Sequence, residues 1–143
     1  MAQVAPTLPK VFCGDFNSRP DSAVYKLVTT GRLHPGQVPP LPANADRAVI
    51  PPYAEYSHSL DLSSSYSTML GSEPEITNVH GPDGDDPMPK FADTLDYVFT
   101  SGLAVASVLR VPALVECMRE RGLPDSHQPS DHLPLAAALT FTM

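Results

Sequence analysis

A proline-rich segment limits where regular structure can form in this chain. Its prolines stand at positions 35, 39, 40, 42, 51 and 52. Each proline lacks a backbone donor and has a fixed φ, so helices and sheet ladders are disfavoured in this segment. We therefore predict that residues 33–52 form a surface loop and that regular structure lies on either side of it.

Length and charge restrict the classes of protein that this chain can represent. Its 143 residues, of which 42% are hydrophobic, suffice for one core and leave no room for a second sizeable domain. The net charge of −7 gives the surface no general attraction for a phosphate backbone. Any contact with nucleic acid must therefore depend on bound cations or on residues elsewhere.

Cysteine use and hydropathy indicate the compartment. Cys13 and Cys117 lie in apolar surroundings and match no ligand spacing, which predicts buried, reduced thiols. Residues 1–10 lack the pattern of a secretory signal, and no apolar run reaches membrane-spanning length. We expect an intracellular protein without membrane contact, in the cytoplasm or alternatively the nucleus.

Local patterns in the first half predict short alternating elements. Residues 11–13 read as a buried strand that ends at Gly14. Asp21 or Ser22 can cap a helix that stops before Gly31. Residues 60–70 show neither a helical nor a strand period, so their structure stays open.

The second half is predicted to contain more strands. Residues 76–79 indicate a strand, and residues 80–90, rich in Gly, Pro and Asp, indicate an acidic loop. Residues 94–100 and 104–111 predict two strands joined in a hairpin at Ser101-Gly102. The remaining predictions are a helix from Pro112 to Arg121 and a strand at 133–141, whose alanine run would also tolerate a helix.

Asp15 and Asn17 lie two residues apart in the turn that follows the first predicted strand. Their side chains can point to the same side, where a carboxylate and an amide would suit activating a nucleophile or holding a phosphate oxygen. Because Asp and Asn also populate turns for purely conformational reasons, the pair alone decides nothing.

Asp96 interrupts an otherwise apolar predicted strand, so its charge needs a partner. His132 and a metal ion are the candidates. The side chain of Asp131 should diverge from that of His132 in an extended backbone and face a metal or a substrate-bound water. An isolated Asp-His dipeptide is more often a surface feature. The residues expected to be merely solvated are His34, His58, His80 and His127, with the acidic run Asp83, Asp85 and Asp86.

Three strings carry a resemblance when they are taken together: GDFNS at 14–18, LDY at 95–97 and SDH at 130–132. In order and rough separation they resemble the late motifs of the endonuclease/exonuclease/phosphatase family. The strings SEPEITN at 72–78 and PSDHLPL at 129–135 are similar to its carbon-catabolite-repressor-4 branch, which includes deadenylases, nocturnin-like and angel-like proteins and 2′,5′-phosphodiesterases.

The resemblance implies an α/β fold, namely part of a four-layer sandwich of two mixed sheets flanked by helices. It covers residues 1–143 as the C-terminal half of the family domain, and the earlier half, with its metal-binding glutamate, has no match here. The chain is thus expected to be a fragment or a diverged remnant. Half a sandwich exposes an apolar face, so we expect the isolated chain to associate with itself.

The resemblance also implies the roles of individual residues. Asp15, Asn17, Asp96 and His132 would be catalytic, with Asp96 orienting His132 as the base or phosphate-stabilising group. Asp15 and Asp131 would assist Mg²⁺ binding. The substrate-binding residues would be Asn17, Asn78 and Phe91, the last by stacking on a base.

Two functions from different classes remain open at this point. The first is Mg²⁺-dependent hydrolysis of RNA 3′ ends, chiefly poly(A), with deadenylase-complex partners bound through regions absent here. The second is an incomplete homologue that binds or interacts without turnover. A 2′,5′-phosphodiesterase or another phosphoesterase of the family is a further alternative, and an unrelated α/β domain with coincidental matches would be revealed by scattered site residues.

Overall fold

The computed structural model describes residues 8–37, 56–82 and 84–141. Within these ranges the chain forms seven strands and three α-helices. The strands are β1 (Lys10–Asp15), β2 (Ser63–Ser64), β3 (Asn78–His80), β4 (Phe91–Asp93), β5 (Asp96–Ser101), β6 (Leu103–Val108) and β7 (Ala137–Phe141). The helices are α1 (Ala23–Thr30), α2 (Ser65–Leu70) and α3 (Leu114–Cys117), with a 3₁₀ turn at Pro35–Gln37.

The strands pair in three antiparallel sheets. The first has the order β1-β5-β2, the second pairs β3 with β4, and the third pairs β6 with β7. In the first sheet Asp15 at the end of β1 lies opposite Asp96 at the start of β5. This register brings two of the predicted site residues together.

The predicted hairpin between the strands around Gly102 is wrong. β5 pairs with β1 on one side and β2 on the other, so neither side is left for β6. β6 pairs instead with β7. Gly102, whose φ is 69°, turns the chain from one sheet into the next.

The predicted caps of helix α1 are confirmed. The Oγ atom of Ser22 accepts a hydrogen bond from the backbone N–H of Tyr25 at 3.2 Å. Gly31 has a left-handed φ of 73°, and its N–H donates to the carbonyl of Leu27. Val28 on this helix is buried, as the apolar pattern requires.

Helix α3 is shorter than predicted, and Pro112 is not its first residue. Ala113 is the N-cap, and its backbone N–H donates to the carboxylate of Glu116 at 2.9 Å. The helix ends at Cys117 rather than reaching Arg121, which has a left-handed φ of 71°. Such a backbone conformation cannot continue an α-helix.

Several strand boundaries also differ from the predictions. The ambiguous residues 60–70 contain β2 followed by α2, with Ser64 capping the helix. The strand predicted at 76–79 begins at Asn78, and the last strand begins at Ala137. Strand β4 was not predicted, because three residues are too few to show a period.

Two apolar clusters form the core of the described residues. One consists of Val28, Leu62, Tyr97 and Phe99, with Phe16 and Tyr25 packed against it. The other consists of Ile76, Val79, Cys117, Leu123 and Leu133. The first lies between α1 and the β1-β5-β2 sheet, and the second lies around β3 and α3.

Strand β1 was predicted to be buried, but it is largely exposed. Val11 is 52% exposed and Phe12 is 49% exposed. The strand stands at one end of its sheet order, and in the described part of the chain it pairs only with β5. Cys13 on this strand is therefore exposed, whereas Cys117 is buried as expected.

Two backbone hydrogen bonds join the segments on either side of the proline-rich region, and we call this pair the neck. The N–H of Leu33 donates to the carbonyl of Tyr56 at 3.0 Å, and that of His58 donates to the carbonyl of Gly31 at 2.8 Å. His58 was predicted to be solvated, but its Nε2 atom lies 2.9 Å from the carbonyl oxygen of Leu27. Residues 38–52 of the predicted loop lie outside the described residues.

Within the predicted acidic loop, residues 81, 82 and 84–90 form neither helix nor strand. Asp85 and Asp86 are exposed as expected, Asp83 lies outside the described residues, and His80 ends strand β3. None of the described helices has the length and apolar character needed to cross a bilayer.

Candidate active site

Asp15 and Asn17 form the first component of the site, at the end of β1. The backbone N–H of Asn17 donates to Oδ1 of Asp15 at 2.8 Å, and Nδ2 of Asn17 donates to Oδ2 at 3.1 Å. Asn17 reaches this position with a left-handed φ of 47°, which asparagine tolerates better than most residues. The two side chains therefore share one side of the turn, as predicted.

Asp96 and His132 form the second component. Nδ1 of His132 lies 2.9 Å from Oδ2 of Asp96. The segment carrying His132 runs beside β3, because Leu133 donates its N–H to the carbonyl of Thr77 at 2.7 Å. The predicted Asp96–His132 contact is confirmed, while the catalytic roles of both residues stay predictions.

Thr77 is a component of the site that the sequence analysis missed. Its Oγ1 accepts hydrogen bonds from the backbone N–H groups of Leu95 (2.9 Å) and Asp96 (3.0 Å). It lies 2.7 Å from Oδ2 of Asp96, so the hydroxyl proton is directed to that carboxylate. An ionised carboxylate can only accept hydrogen bonds. Oδ2 of Asp96 therefore accepts from both the Thr77 hydroxyl and Nδ1 of His132. No local pattern distinguishes a threonine with this role.

The charges around His132 determine its protonation. Burial lowers the pKa of His132, but this effect is outweighed by the hydrogen bond to Asp96 and by the negative charges of Asp96, Asp15 and Asp131. The net result is a pKa above the ordinary value. The surrounding carboxylates therefore favour the protonated form of the imidazole.

Asp131 contacts two residues of strand β3. Nδ2 of Asn78 donates to Oδ2 of Asp131 at 3.4 Å, and Nδ1 of His80 lies 4.0 Å from the same oxygen. Asn78 is buried and His80 is half exposed. The prediction that His80 is merely solvated is wrong, because it lies beside a site carboxylate; His34 and His127 are exposed as expected.

Phe91 begins β4, opposite His80. The guanidinium carbon of Arg19 lies 5.9 Å from the centroid of the Phe91 ring, within cation–π range. Nε of Arg19 lies 2.6 Å from Oδ2 of Asp93. Arg19 was not among the predicted site residues, since an arginine in a turn gives no local signal of its partners.

The described residues supply too few ligands for a Mg²⁺ site built from protein side chains alone. Within residues 8–37, 56–82 and 84–141, no group of three or more His, Cys, Asp or Glu side chains is arranged to hold a metal ion. Mg²⁺ is commonly bound by one or two carboxylates, with water and substrate phosphate as the other ligands. Asp15 and Asp131 fit that mode, and their assignment as ligands stays a prediction.

Comparison with known proteins agrees with this geometry. Residues 1–132 match the Endonuclease/Exonuclease/phosphatase family. The chain belongs to this family. It is 37% identical over 138 residues to the CCR4-Not complex 3′-5′-exoribonuclease subunit Ccr4 of Coccidioides immitis, covering 93% of this chain and 16% of that protein. It is 35% identical over 135 residues to the same subunit of Saccharomyces cerevisiae, covering 93% and 14%.

A solved structure shows the same fold. The crystal structure of ANGEL2, a 2′,3′-cyclic phosphatase, matches with a TM-score of 0.69 and 28% identity, covering 92% of this chain and 44% of that chain. The resemblance to the Ccr4-type branch and the prediction of an incomplete α/β sandwich are thereby confirmed. The chain spans less than a fifth of these two curated relatives. Its placement as the C-terminal half of the family domain stays a prediction.

Proposed function

We propose that this chain provides one part of the active site of a divalent-metal-dependent phosphodiesterase that acts on the 3′ ends of RNA, chiefly poly(A). The observation that carries the proposal is the His132–Asp96 contact of 2.9 Å, formed next to the Asp15–Asn17 pair through the β1–β5 register. The Ccr4 relatives, named as 3′-5′-exoribonuclease subunits, support this substrate class.

The geometry suits His132 to a phosphate-directed role. Its Nδ1 atom is occupied by Asp96, which leaves Nε2 to contact a phosphate oxygen or water. Despite burial, the hydrogen bond and negative charge of Asp96 hold the pKa of His132 above its ordinary value, which favours the cationic form. A cationic imidazole stabilises charge that develops on phosphate and can donate a proton to it.

Asp15 and Asn17 supply the complementary groups. The Asp15 carboxylate accepts both hydrogen bonds from Asn17, so the amide oxygen of Asn17 remains to contact a phosphate-bound water or a metal-bound group. Mg²⁺, when bound by Asp15 and Asp131, would neutralise phosphate charge and lower the pKa of a water. These two residues are the ones we assign to metal binding.

A second candidate is hydrolysis of a terminal 2′,3′-cyclic phosphate. The ANGEL2 structure, which covers 92% of this chain, is of a 2′,3′-cyclic phosphatase. Both reactions break a phosphate ester bond, so the groups proposed to face phosphate would serve either one. The third candidate is a homologue that interacts without turnover.

Hydrolysis of labelled oligo(A) tests the proposal directly. We expect shortening from the 3′ end with Mg²⁺, which stops with EDTA and in the variants D15A and H132A. The matched control is H127A, since the side chain of His127 is 86% exposed and its Nε2 lies 3.9 Å from Glu120. If the unmodified chain leaves oligo(A) intact, the claim of catalysis by this chain fails while its family membership stands.

Substrate choice separates the first two candidates. The same assay with oligo(A), oligo(C) and an RNA ending in a 2′,3′-cyclic phosphate compares the three ends. Faster loss of oligo(A) supports the exoribonuclease, and opening of the cyclic phosphate without shortening supports the phosphatase.

We also propose a cytoplasmic location, with the nucleus as the alternative, and association with deadenylase-complex proteins. Two Ccr4 relatives are named as subunits of the CCR4-Not complex. Such association would use regions outside this chain. Imaging a tagged full-length protein and purifying it with its partners test both points.

A further inference from the structure

Arg19 places a permanent positive charge at the side of the acidic site. Its guanidinium carbon lies 5.9 Å from the centroid of the Phe91 ring, and its Nε lies 2.6 Å from Oδ2 of Asp93. Arg19 follows Asn17 by two residues, so the cation is carried by the same turn that presents the Asp15–Asn17 pair. Its side chain is 57% exposed and accessible to a ligand.

The position of this guanidinium is well defined by its neighbours. Oδ1 of Asp93 accepts the N–H of Thr94 at 2.9 Å, which directs Oδ2 toward Arg19. The carbonyl of Asp93 accepts the N–H of Thr77 at 3.0 Å. Asp93 is therefore held by the same residue, Thr77, that contacts Asp96. Asp93 also lies opposite Asn78 in the β3–β4 pair.

The charge of the chain makes such a cation important for an anionic substrate. The whole chain carries a net charge of −7, and three carboxylates lie near His132. A fixed cation beside this cluster adds attraction for an approaching phosphodiester. A guanidinium combines charge, several N–H donors and a planar face that can lie against a ring or a base.

We propose that Arg19 is a substrate-binding residue that holds a backbone phosphate of the RNA strand next to the Phe91 ring. This inference rests on the proposed function, since it requires that the site receives RNA. The contact with Asp93 uses Nε of Arg19, and we assign the Nη donors to the bound phosphate. Arg19 and Phe91 together form one platform for a nucleotide, in which the ring faces the base and the guanidinium faces the phosphate.

A purely structural role would give a different result. The Arg19–Asp93 ion pair connects the Asn17 turn to β4, so its loss could displace Asn17 without any contact between Arg19 and RNA. D93N removes the ion pair but keeps the cation, whereas R19A removes both. An ion pair as exposed as this one adds little stability, so both variants are expected to fold.

Binding of fluorescein-labelled oligo(A) measured by anisotropy separates these roles. Every protein carries H132A so that the strand stays intact, and Mg²⁺ is present. We expect R19A to weaken binding about tenfold and D93N to weaken it less than about threefold. The slope of log affinity against log salt should become shallower by about 0.7 in R19A, the value for one lost phosphate contact on a single strand.

R110A is the matched control. Arg110 forms an ion pair of the same length, 2.6 Å, with Glu116 beside α3 rather than beside β4. Its removal should leave both the affinity and the salt slope unchanged. R19K should retain the salt slope and lose part of the affinity, because a lysine keeps the charge without the planar face.

Three outcomes would overturn the inference. They are equal weakening by R19A and D93N, an unchanged salt slope in R19A, and no binding of oligo(A) by the parent protein up to about 1 mM. The proposed function is judged separately from hydrolysis by the unmodified chain. Binding that depends on Arg19 without hydrolysis would support this inference and contradict catalysis by this chain. Hydrolysis that R19A leaves unaffected would support catalysis and contradict this inference.

Discussion

The hydroxyl of Thr77 donates to Oδ2 of Asp96 over 2.7 Å, from the residue just before β3 to the first residue of β5. The same oxygen lies 2.9 Å from Nδ1 of His132. Thr77 is fully buried, and its own oxygen is held by two backbone N–H groups. Thr77 thus orients the Asp96 carboxylate, and because Thr77 is buried, it does not itself contact substrate.

Replacing Thr77 by valine should disturb both stability and the site. T77V keeps the shape but leaves the N–H groups of Leu95 and Asp96 without their acceptor, which costs about 1–3 kcal/mol of unfolding free energy. Loss of the hydrogen bond to Asp96 should slow any oligo(A) hydrolysis about tenfold or more. Urea unfolding and initial rates check this, with T77S as the control that retains the hydroxyl. Equal behaviour of T77V and T77S would contradict it.

The pKa of His132 should fall when Asp96 becomes asparagine. Burial lowers this pKa in the native chain, and the hydrogen bond and charge of Asp96 are the leading effects that raise it. D96N removes both, so the NMR titration of the His132 ring in EDTA should shift to lower pH. D85N is the control, since Asp85 is an exposed loop carboxylate. A pKa that does not move in D96N would show that Asp96 does not govern His132.

The same linkage predicts a pH dependence of stability. Because the folded pKa of His132 lies above its ordinary value of 6.5, protonation favours the folded state. This stabilisation is complete below pH 6.5 and is lost as the pH rises through the folded pKa. The difference in unfolding free energy between native chain and D96N should therefore be larger at pH 5.5 than at pH 9, by about 1.4 kcal/mol for each pKa unit removed. A difference that grows with pH would contradict the assignment.

The two thiols should react at very different rates. Cys13 is exposed, whereas Cys117 is buried and burial, followed by the charges of Glu116, Asp125 and Glu75, raises its thiol pKa. The thiolate is the reactive form, so a disulfide reagent at pH 7.5 should show one fast and one slow phase. C13S should abolish the fast phase and C117S should leave it. Two equal phases in the folded chain would disagree with the burial of Cys117.

Phe99 should contribute far more to stability than Phe12. Phe99 is fully buried beside Tyr97, Phe16 and Tyr25, so F99A should cost about 3–5 kcal/mol. Phe12 is 49% exposed and contacts Phe16 edge to face at 5.0 Å, so F12A should cost about 1 kcal/mol. Urea unfolding measures the loss of unfolding free energy in the two variants, one at a buried and one at an exposed aromatic residue of the same sheet. Similar costs would contradict the exposure of β1.

The exposed side of β1 should promote self-association. Val11 and Phe12 lie on a strand that pairs only with β5 in the described part of the chain. Sedimentation velocity should show concentration-dependent association, reduced in V11K. V115K is the matched control, because Val115 is 75% exposed on α3. A cooperative, monomeric melt of the native chain at micromolar concentration would contradict the prediction.

The sequence predicted features that short-range chemistry determines. The caps of α1 at Ser22 and Gly31 follow from side-chain and glycine preferences within a few residues. The Asp96–His132 contact was predicted because an aspartate in an apolar strand requires a partner, and few candidates exist. The spacing of three motifs then indicated the family, which the comparisons confirm.

Other features depend on pairing between distant segments, which local patterns do not encode. Gly102 was predicted to close a hairpin, although β5 was already paired on both sides. The exposure of Val11 depends on what packs on β1, and an apolar strand looks the same in sequence whether or not it is covered. Thr77 and Arg19 each act through a partner more than ten residues away, Asp96 and Asp93 respectively.

The hydrogen-bonded neck at Leu33 and Tyr56 has a consequence for how this protein can change over evolution. Where a loop leaves and re-enters the body of a protein at adjacent points, residues added to or deleted from it shift neither flanking element, and the entropic penalty grows only slowly with length. Homologues are therefore expected to accumulate length variation between these two residues while the spacing from Asp15 to the end of α1 stays constant.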